Sequence, residues 1–267
     1  MTDFIIEEET RKRIMYLAEK YETKDFLPAD PSSFMHKVEG KANREAMAFI
    51  ASCLSYGSRK QFFPKIQFLL DDARGDVDHW VRHGGWKTCL PDSTDCYYRL
   101  YTCHDMCCLL SAYQTMLTEY GSMKEYVRRN ASTGLEAVDA ICRFFSVYGA
   151  SKIVPKNTSS ACKRVCMFLR WMVRTDSPVD LGLWADIIDR RSLIMPLDTH
   201  VVQEAQRMNL LQSRTASMTT ARRLTHTPSI SSFMCPRLVS LIRPDTRVNT
   251  RPSFHRSHNR TLLPLSS

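Results

Sequence analysis

The sequence lacks any hydrophobic segment long enough to cross a membrane. No apolar run approaches the roughly 20 residues that a membrane-spanning helix needs. It also lacks an apolar N-terminal stretch followed by a cleavage site, which marks secretory leaders. The chain contains ten cysteines in 267 residues. Together these features predict a cytoplasmic protein whose thiols are reduced.

Motifs for metals and for nucleotide phosphates are missing as well. Cys96, Cys103 and Cys107 lie close together, but no fourth cysteine has the spacing of an iron–sulfur site. The sequence contains no glycine-rich phosphate loop. We therefore expect neither a metal ion nor a small-molecule cofactor, and we interpret these cysteines as buried or surface thiols on a helix.

Positive charge is scarce over most of the chain. The formal net charge is +9, but residues 214–267 hold nine Arg, no Lys and one Asp, so they carry +8 and residues 1–213 carry only +1. An anionic partner therefore has to be argued from local basic clusters rather than from the overall charge. Two clusters stand out, one at Arg59, Lys60 and Lys65, the other at Lys152, Lys156, Lys163, Arg164, Arg170 and Arg174.

What the sequence does contain is a series of amphipathic helices. Apolar residues recur at three- and four-residue steps, and no alternating strand pattern rises above them. Hydrophobic residues make up 43% of the chain, enough for a substantial core. We predict an all-α domain over residues 1–224. Helices are expected near residues 5–21, 41–56, 58–70 with Ser58 as a cap, 77–82, 104–120, 122–129, 135–148, 160–174 and 198–208, with a short helix around Trp184.

The sequence changes character after about Leu224. Residues 225–267 contain five prolines, many Ser and Thr and scattered Arg, without a sustained apolar period. This composition is typical of disorder, so we predict an irregular tail. The abrupt change to Arg without Lys also suits a translation out of frame, in which case a natural C-terminal helix is missing.

Two predicted helix starts each present a side chain suited to chemistry. The helix within residues 160–174 has Lys163 in its first turn. Pro196 ends the following connector, and Asp198 or Thr199 is a good N-cap for the next helix. Asp198 is therefore expected to be held at a helix start.

These segments resemble the core of the helix-hairpin-helix DNA glycosylase superfamily. There, a hairpin opens a helix that carries a catalytic lysine, and a later Asp-Thr-His-Val opens another helix with the catalytic aspartate. Lys163 matches that lysine, and Asp198 matches that aspartate. The chain resembles more closely a conserved bacterial family of unknown function near that superfamily. This likeness rests on residues 55–61, 120–122, 161–173, 183–184 and 196–201, and it covers residues 1 to about 224.

The resemblance implies a helix-hairpin-helix glycosylase-like fold and DNA as the partner. The function it implies is a DNA-repair glycosylase, with lyase activity as an option. Lys163 would attack the sugar C1′ of a flipped-out nucleotide and form a Schiff base. Asp198 would stabilise the developing positive charge or relay the lysine proton.

The resemblance also implies two groups of DNA contacts. Residues 56–61 fall where the superfamily places a helix break that faces the gap left by a flipped base. Residues 154–160 replace its glycine-containing phosphate loop, and here they contain no glycine. The candidate DNA contacts are Tyr56, Gly57, Ser58, Arg59, Lys60, Gln61, Lys156, Ser159, Ser160 and Arg164.

Two simpler interpretations stay open. Lys163 can be a solvated first-turn lysine, and Asp198 can be a cap and nothing more. A non-catalytic nucleic-acid or protein-binding module on the same scaffold is the alternative function, and it predicts salt-sensitive binding without covalent chemistry. A separation of more than about 10 Å between the Lys163 amine and the Asp198 carboxylate would exclude the catalytic pair.

Overall fold

The computed structural model describes residues 8–175 and 177–226. Over these residues the protein is mostly helical, with one small two-stranded sheet. The helices are α1 (Glu8–Tyr21), α2 (Lys41–Leu54), α3 (Arg59–Asp72), α4 (Val77–Arg82), α5 (Cys103–Tyr120), α6 (Met123–Asn130), α7 (Gly134–Val147), α8 (Lys163–Val173), α9 (Thr199–Arg207) and α10 (Met218–His226). The strands are β1 (Cys96–Tyr98) and β2 (Tyr101–Thr102), and 3-10 helices span Lys24–Ala29, Pro31–His36, Gly85–Thr88 and Arg190–Ser192.

Helix α2 lies at the centre of the fold. All of its residues from position 45 to position 54 are buried, and it packs against α3, α4 and α8. The Phe49 ring contacts the rings of Tyr113 on α5, Phe145 on α7 and Phe168 on α8, with centroids 5.0, 4.9 and 5.5 Å away. Because close-packed rings resist displacement, these contacts fix α8 relative to its neighbours.

Side-chain caps fix the starts of two core helices. Thr102 at the start of α5 and Thr133 at the start of α7 form reciprocal capping boxes with Asp105 and Glu136. The sequence predicts that Ser58 caps α3 in a similar way. Ser58 does occupy the N-cap position, but its side chain makes no capping hydrogen bond.

The predicted helix around Trp184 is wrong. Trp184 lies in a non-helical turn of the connector after α8. Its indole Nε1 donates to Glu45 Oε2 at 2.7 Å, and its backbone N–H donates to the Met172 carbonyl of α8 at 2.7 Å. The Trp184 carbonyl accepts local bonds from the N–H groups of Ile187 and Ile188, so a single turn with these tertiary bonds satisfies the polar groups of Trp184 without a helix.

The antiparallel hairpin of β1 and β2 is an exception to the predicted all-α class. Cys96 pairs with Thr102 and Tyr98 pairs with Tyr101. Strands of three and two residues are too short to show a period of two in the sequence. The hairpin is therefore invisible to a search for alternating apolar residues.

The predicted domain boundary at residue 224 falls inside α10. Met218, Ala221 and Leu224 on this helix are buried in the same core as the rest of the protein. From residue 227 onward the predicted irregular tail lies outside the described residues. Within the described part of the chain, no helix has both the length and the apolar character needed to cross a bilayer.

Candidate functional site

Helix α8 begins at Lys163 and presents it at the edge of the core. Val165, Phe168, Leu169 and Met172 form the buried face, as their spacing predicts. This face packs against α2 and α7. The orientation leaves the Lys163 side chain 38% exposed, so the amine is held by a rigid helix and still reaches solvent.

Asp198 is the N-cap of α9, as its place in the sequence predicts. Its Oδ1 accepts a hydrogen bond from the backbone N–H of Val201 at 2.9 Å. Its other oxygen, Oδ2, lies 2.5 Å from the Lys163 Nζ. Two side chains 35 residues apart therefore form one ion pair, well inside the limit of about 10 Å set for a catalytic pair.

The electrostatics of Asp198 favour its ionised form. Burial raises the pKa of this carboxyl group, but the Lys163 charge, the Lys163 hydrogen bond and the Val201 N–H together hold the pKa below its usual value. A carboxyl group with a lowered pKa stays charged at neutral pH. It is therefore better suited to stabilising positive charge than to accepting a proton.

The predicted phosphate contacts lie on the loop that precedes α8. Lys156, Ser159 and Ser160 are exposed. Lys156 and Ser159 line an open groove of about 710 Å³, together with Arg143 of α7. The Ser159 backbone N–H donates to Asn157 Oδ1 at 3.0 Å, so this amide is already engaged within the loop.

The other predicted contacts lie at the break between α2 and α3. Arg59 is half-buried, and its Nη1 donates to the Ala29 carbonyl at 2.9 Å. Gly57 has a φ of +86°, a left-handed conformation that favours glycine. The exposed members of this group are Tyr56, Gly57, Ser58, Lys60 and Gln61.

Arg164 connects α8 to the end of α2 and to β2. Its Nη1 donates to the Cys53 carbonyl at the end of α2 at 2.8 Å, and it also donates to the Tyr101 hydroxyl of β2. Its guanidinium lies 5.7 Å from the centroid of the Tyr101 ring. The predicted DNA contact is thus half-buried, and this nitrogen makes bonds inside the protein.

Two members of the predicted basic cluster are internal. The Arg174 side chain is 3% exposed and forms ion pairs with Glu22 at 2.6 Å and with Asp180 at 2.9 Å. Arg170 is also largely buried and lies 3.4 Å from Asp180. Because these guanidinium groups are engaged inside the fold, they do not contribute to a nucleic-acid-binding surface.

A family model described as a protein of unknown function (DUF2400) matches residues 30–230. The chain belongs to this family. The expectation of a family of unknown function is thereby confirmed, and the match includes both Lys163 and Asp198. No curated protein and no solved structure matches the chain. The comparisons contain no link between DUF2400 and the helix-hairpin-helix glycosylases.

In this DUF2400 chain, the hairpin next to the site is the feature that the sequence analysis missed. The Tyr98 hydroxyl donates to the Tyr56 carbonyl. The Arg99 guanidinium lies 4.8 Å from the centroid of the Tyr56 ring, and Leu100 at the tip is 67% exposed. The aromatic residues at positions 97, 98 and 101 are the sequence feature that indicates these strands, since aromatic residues are enriched in strands.

The three cysteines considered for an iron–sulfur site stay apart from Lys163 and Asp198 in the sequence and differ in exposure. Cys103 and Cys107 are buried on α5, and Cys96 is exposed at the start of β1. Across residues 8–175 and 177–226, no group of three or more His, Cys, Asp and Glu side chains has the arrangement of a metal site.

Proposed function

We propose that this protein is a DNA-repair glycosylase with lyase activity, built on a helix-hairpin-helix glycosylase-like scaffold. The contact of 2.5 Å between Lys163 Nζ and Asp198 Oδ2 is the observation that carries the proposal. An amine and a carboxylate are brought together from two helix starts. With side-chain exposures of 38% and 28%, both groups can meet a sugar that enters from solvent.

The chemistry follows from these two groups. Lys163 first gives up its ammonium proton to solvent. The resulting amine attacks C1′ of the flipped nucleotide, and a C–N bond forms as the bond to the base breaks. The base leaves with the electron pair and takes up a proton. Opening of the sugar ring then gives an imine between Lys163 and C1′. The ionised Asp198 carboxylate stabilises the positive charge that develops on the sugar as the base departs.

On an abasic site the same amine forms the same imine. It adds to the C1′ aldehyde of the open sugar, and water leaves. Loss of a proton from C2′ then expels the 3′ phosphate, which cuts the strand. Because no base has to depart, an abasic site is the simplest substrate on which to detect the covalent step.

Binding of DNA would rest on two surfaces, the loop before α8 and the break between α2 and α3. Lys156, Ser159 and Ser160 on the loop before α8 offer an ammonium group and hydroxyls to phosphates. Tyr56 at the helix break is 40% exposed, so its ring would stack on a base from the side that Arg99 does not contact. Residues 1–213 carry a net charge of only +1, so these contacts must be local.

A non-catalytic DNA-binding module is the second candidate. The observation in its favour is that the ion pair already satisfies both Lys163 and Asp198, and it joins α8 to the start of α9 without any substrate. On this view the pair is a structural link between the helices. The module predicts salt-sensitive binding without a covalent intermediate.

Borohydride trapping tests the proposal. The full chain is incubated with a DNA duplex that contains one abasic site, and borohydride reduces any imine to a stable adduct. Lys124→Gln is the matched control for Lys163→Gln, since Lys124 also forms an ion pair, with Asp186 at 2.6 Å. We expect adducts from the wild type and Lys124→Gln, and none from Lys163→Gln.

Two results would contradict the glycosylase proposal. An adduct that survives in Lys163→Gln would assign the nucleophile to another amine. A folded wild-type protein that binds the duplex without forming an adduct would favour the binding module. Thermal unfolding of each variant distinguishes loss of chemistry from loss of fold.

A further inference from the structure

A pair of thiols lies directly before the amine of α8. Cys142 of α7 and Cys162, the N-cap of α8, have their sulfur atoms 3.8 Å apart. Both side chains are buried, with exposures of 0% and 2%. A disulfide has a sulfur separation of about 2.05 Å, so the two sulfur atoms are in contact but not bonded.

The two thiols differ in reactivity. A hydrogen bond from Cys142 lowers the pKa of Cys162 to about 7, against the effect of burial, and the Arg164 charge contributes to the lowering. The same hydrogen bond and burial raise the pKa of Cys142. Helix N-termini and neighbouring cations favour the thiolate, which is the nucleophilic form. Cys162 is therefore suited to attack an oxidant, and Cys142 is placed to resolve the product.

The backbone of Cys162 is strained. Its φ is +46°, in the left-handed region that a residue other than glycine rarely adopts. The Cys162 thiol lies within hydrogen-bond distance of the carbonyls of Asn157 at 3.3 Å and Ser160 at 3.4 Å, to which it donates in the reduced state. Such strain is often found where a side chain has a function beyond packing.

An open groove is lined by residues next to the two thiols, although neither thiol lines it. One wall is the loop with Asn157 and Ser159, which also covers the Cys162 sulfur. The other wall includes Asp139 and Arg143 of α7, on either side of Cys142 in the sequence. The groove measures about 710 Å³, and both sulfur atoms are buried behind its walls, so oxidation requires the loop over Cys162 to open.

We propose that Cys142 and Cys162 form a peroxide-sensitive dithiol that oxidises to a disulfide at the start of α8. The Cys162 thiolate attacks one oxygen of a hydroperoxide, so an S–O bond forms, the O–O bond breaks, and hydroxide or alkoxide leaves. The Cys142 sulfur then attacks the sulfenic sulfur, an S–S bond forms, and water leaves with the Cys142 proton. Two thiols are oxidised by two electrons, and the peroxide is reduced.

The proposed disulfide would change the position of Lys163. Cys162 immediately precedes Lys163, and the disulfide would join this residue covalently to α7. Closing the sulfur separation from 3.8 Å to that of a disulfide would draw the start of α8 and α7 towards each other. Oxidation would therefore change the position of the amine relative to Asp198. The formation of the disulfide itself does not depend on the proposed glycosylase function.

Mass spectrometry of the full chain tests the proposal. The reduced protein is treated with hydrogen peroxide, free thiols are alkylated, and tryptic peptides are compared with and without a reductant. We expect a mass loss of two hydrogens and a reducible link between the peptides of Cys142 and Cys162. Cys166→Ser is the matched control, because Cys166 is also buried on α8. It should leave the link intact.

Variants of the pair complete the test. Cys162→Ser should abolish the link, so that peroxide treatment no longer joins the two peptides. Cys142→Ser should leave a sulfenic acid on Cys162 that a dimedone probe labels. A folded protein whose Cys142 and Cys162 remain free while exposed thiols such as Cys96 are oxidised overturns the proposal. A link from either residue to Cys166 also overturns it.

Discussion

Glu45 is a carboxyl group placed inside the core. Its side chain accepts hydrogen bonds from the Met123 backbone N–H at 3.0 Å and from the Trp184 indole at 2.7 Å. One acceptor thus serves the start of α6, and the other anchors the connector between α8 and α9. Burial raises the pKa of Glu45 to about 7, and the Trp184 hydrogen bond opposes this rise only in part.

The raised pKa predicts how stability depends on pH. Glu45 has an ordinary pKa of 4.5 when unfolded and about 7 when folded, so the folded state binds the proton more tightly. The contribution of protonated Glu45 to the free energy of unfolding is fully present below pH 4.5 and is lost as pH rises through 7. The loss is roughly 3 kcal/mol. Urea unfolding between pH 5 and 8 should show a steeper decline for the wild type than for Glu45→Gln, and parallel curves would contradict this prediction.

Gly57 allows the hairpin to approach the break between α2 and α3. A Cβ at this position would collide with Arg99 Nη1 and would lie 3.0 Å from the Tyr98 hydroxyl. Gly40 has a similar φ of +80°, but a Cβ there would have no neighbouring atom within 4 Å, so it isolates the backbone contribution. Comparing alanine substitutions at Gly57 and Gly40 therefore separates the cost of backbone strain from the cost of the close contact with Arg99.

Alanine at either glycine should destabilise the protein by about 1–3 kcal/mol, because both residues have a positive φ that L side chains rarely adopt. Gly57→Ala should in addition displace Arg99 from the Tyr56 ring, since a flexible side chain moves more easily than backbone. We expect shifts of the Tyr98 and Arg99 amide resonances in Gly57→Ala and none in Gly40→Ala. Equal spectra for the two variants would show that the hairpin does not require this close approach.

The start of α9 combines a structural role and a proposed chemical role in Asp198. Asparagine caps a helix as well as aspartate does, but it carries no charge. Asp198→Asn should therefore keep the bond to the Val201 N–H and lose the ion pair with Lys163. Asp198→Ala loses both, and it should be about 1 kcal/mol less stable than Asp198→Asn.

Trapping assays with the same two variants separate capping from chemistry. If the Asp198 charge stabilises the sugar cation, both variants should form the adduct at least tenfold more slowly, a factor that corresponds to about 1.4 kcal/mol of barrier. Thermal unfolding of the two variants measures independently how much the helix cap contributes to stability. Full trapping activity in Asp198→Asn would show that Asp198 acts only as a helix cap.

The helices that carry the candidate site were predictable because their signals are local. Apolar spacing identifies α8 and places Lys163 in its first turn, and Asp198 follows a proline at a position that favours a cap. The contact between the two side chains was not predictable from spacing. It depends on the packing of α8 against α2 and on the path of the connector, which Glu45 fixes through a residue 139 positions away.

The hairpin was not predictable for a different reason. Its turn residues, Arg99 and Leu100, include neither the Gly nor the Asn that usually marks a two-residue hairpin, and Arg99 adopts a φ of +52° without that help. Tertiary contacts hold it there, through the Tyr56 ring and the Tyr56 carbonyl. Local turn chemistry therefore gave no signal, although the surrounding aromatic residues did.

The distribution of charge over the chain sets the expectation for DNA binding. The described core reaches Leu224, and the DUF2400 match ends at residue 230. Most of the positive charge lies in residues 214–267, while residues 1–213 are almost neutral. Non-specific affinity should therefore come largely from arginines that are remote in sequence from Lys163, and the covalent step should not depend on them.

Neutralising the arginines beyond α10 tests this separation of affinity from chemistry. Each phosphate contact contributes about 0.9 to the slope of log affinity against log salt concentration, so removing six cations should lower the slope by up to about 5. Trapping at saturating DNA should stay unchanged, because the amine and the carboxylate remain in place. An unchanged salt slope would instead assign the phosphate contacts to the groove beside Lys156. The variant replaces these residues by glutamine: Arg237, Arg243, Arg247, Arg251, Arg256 and Arg260.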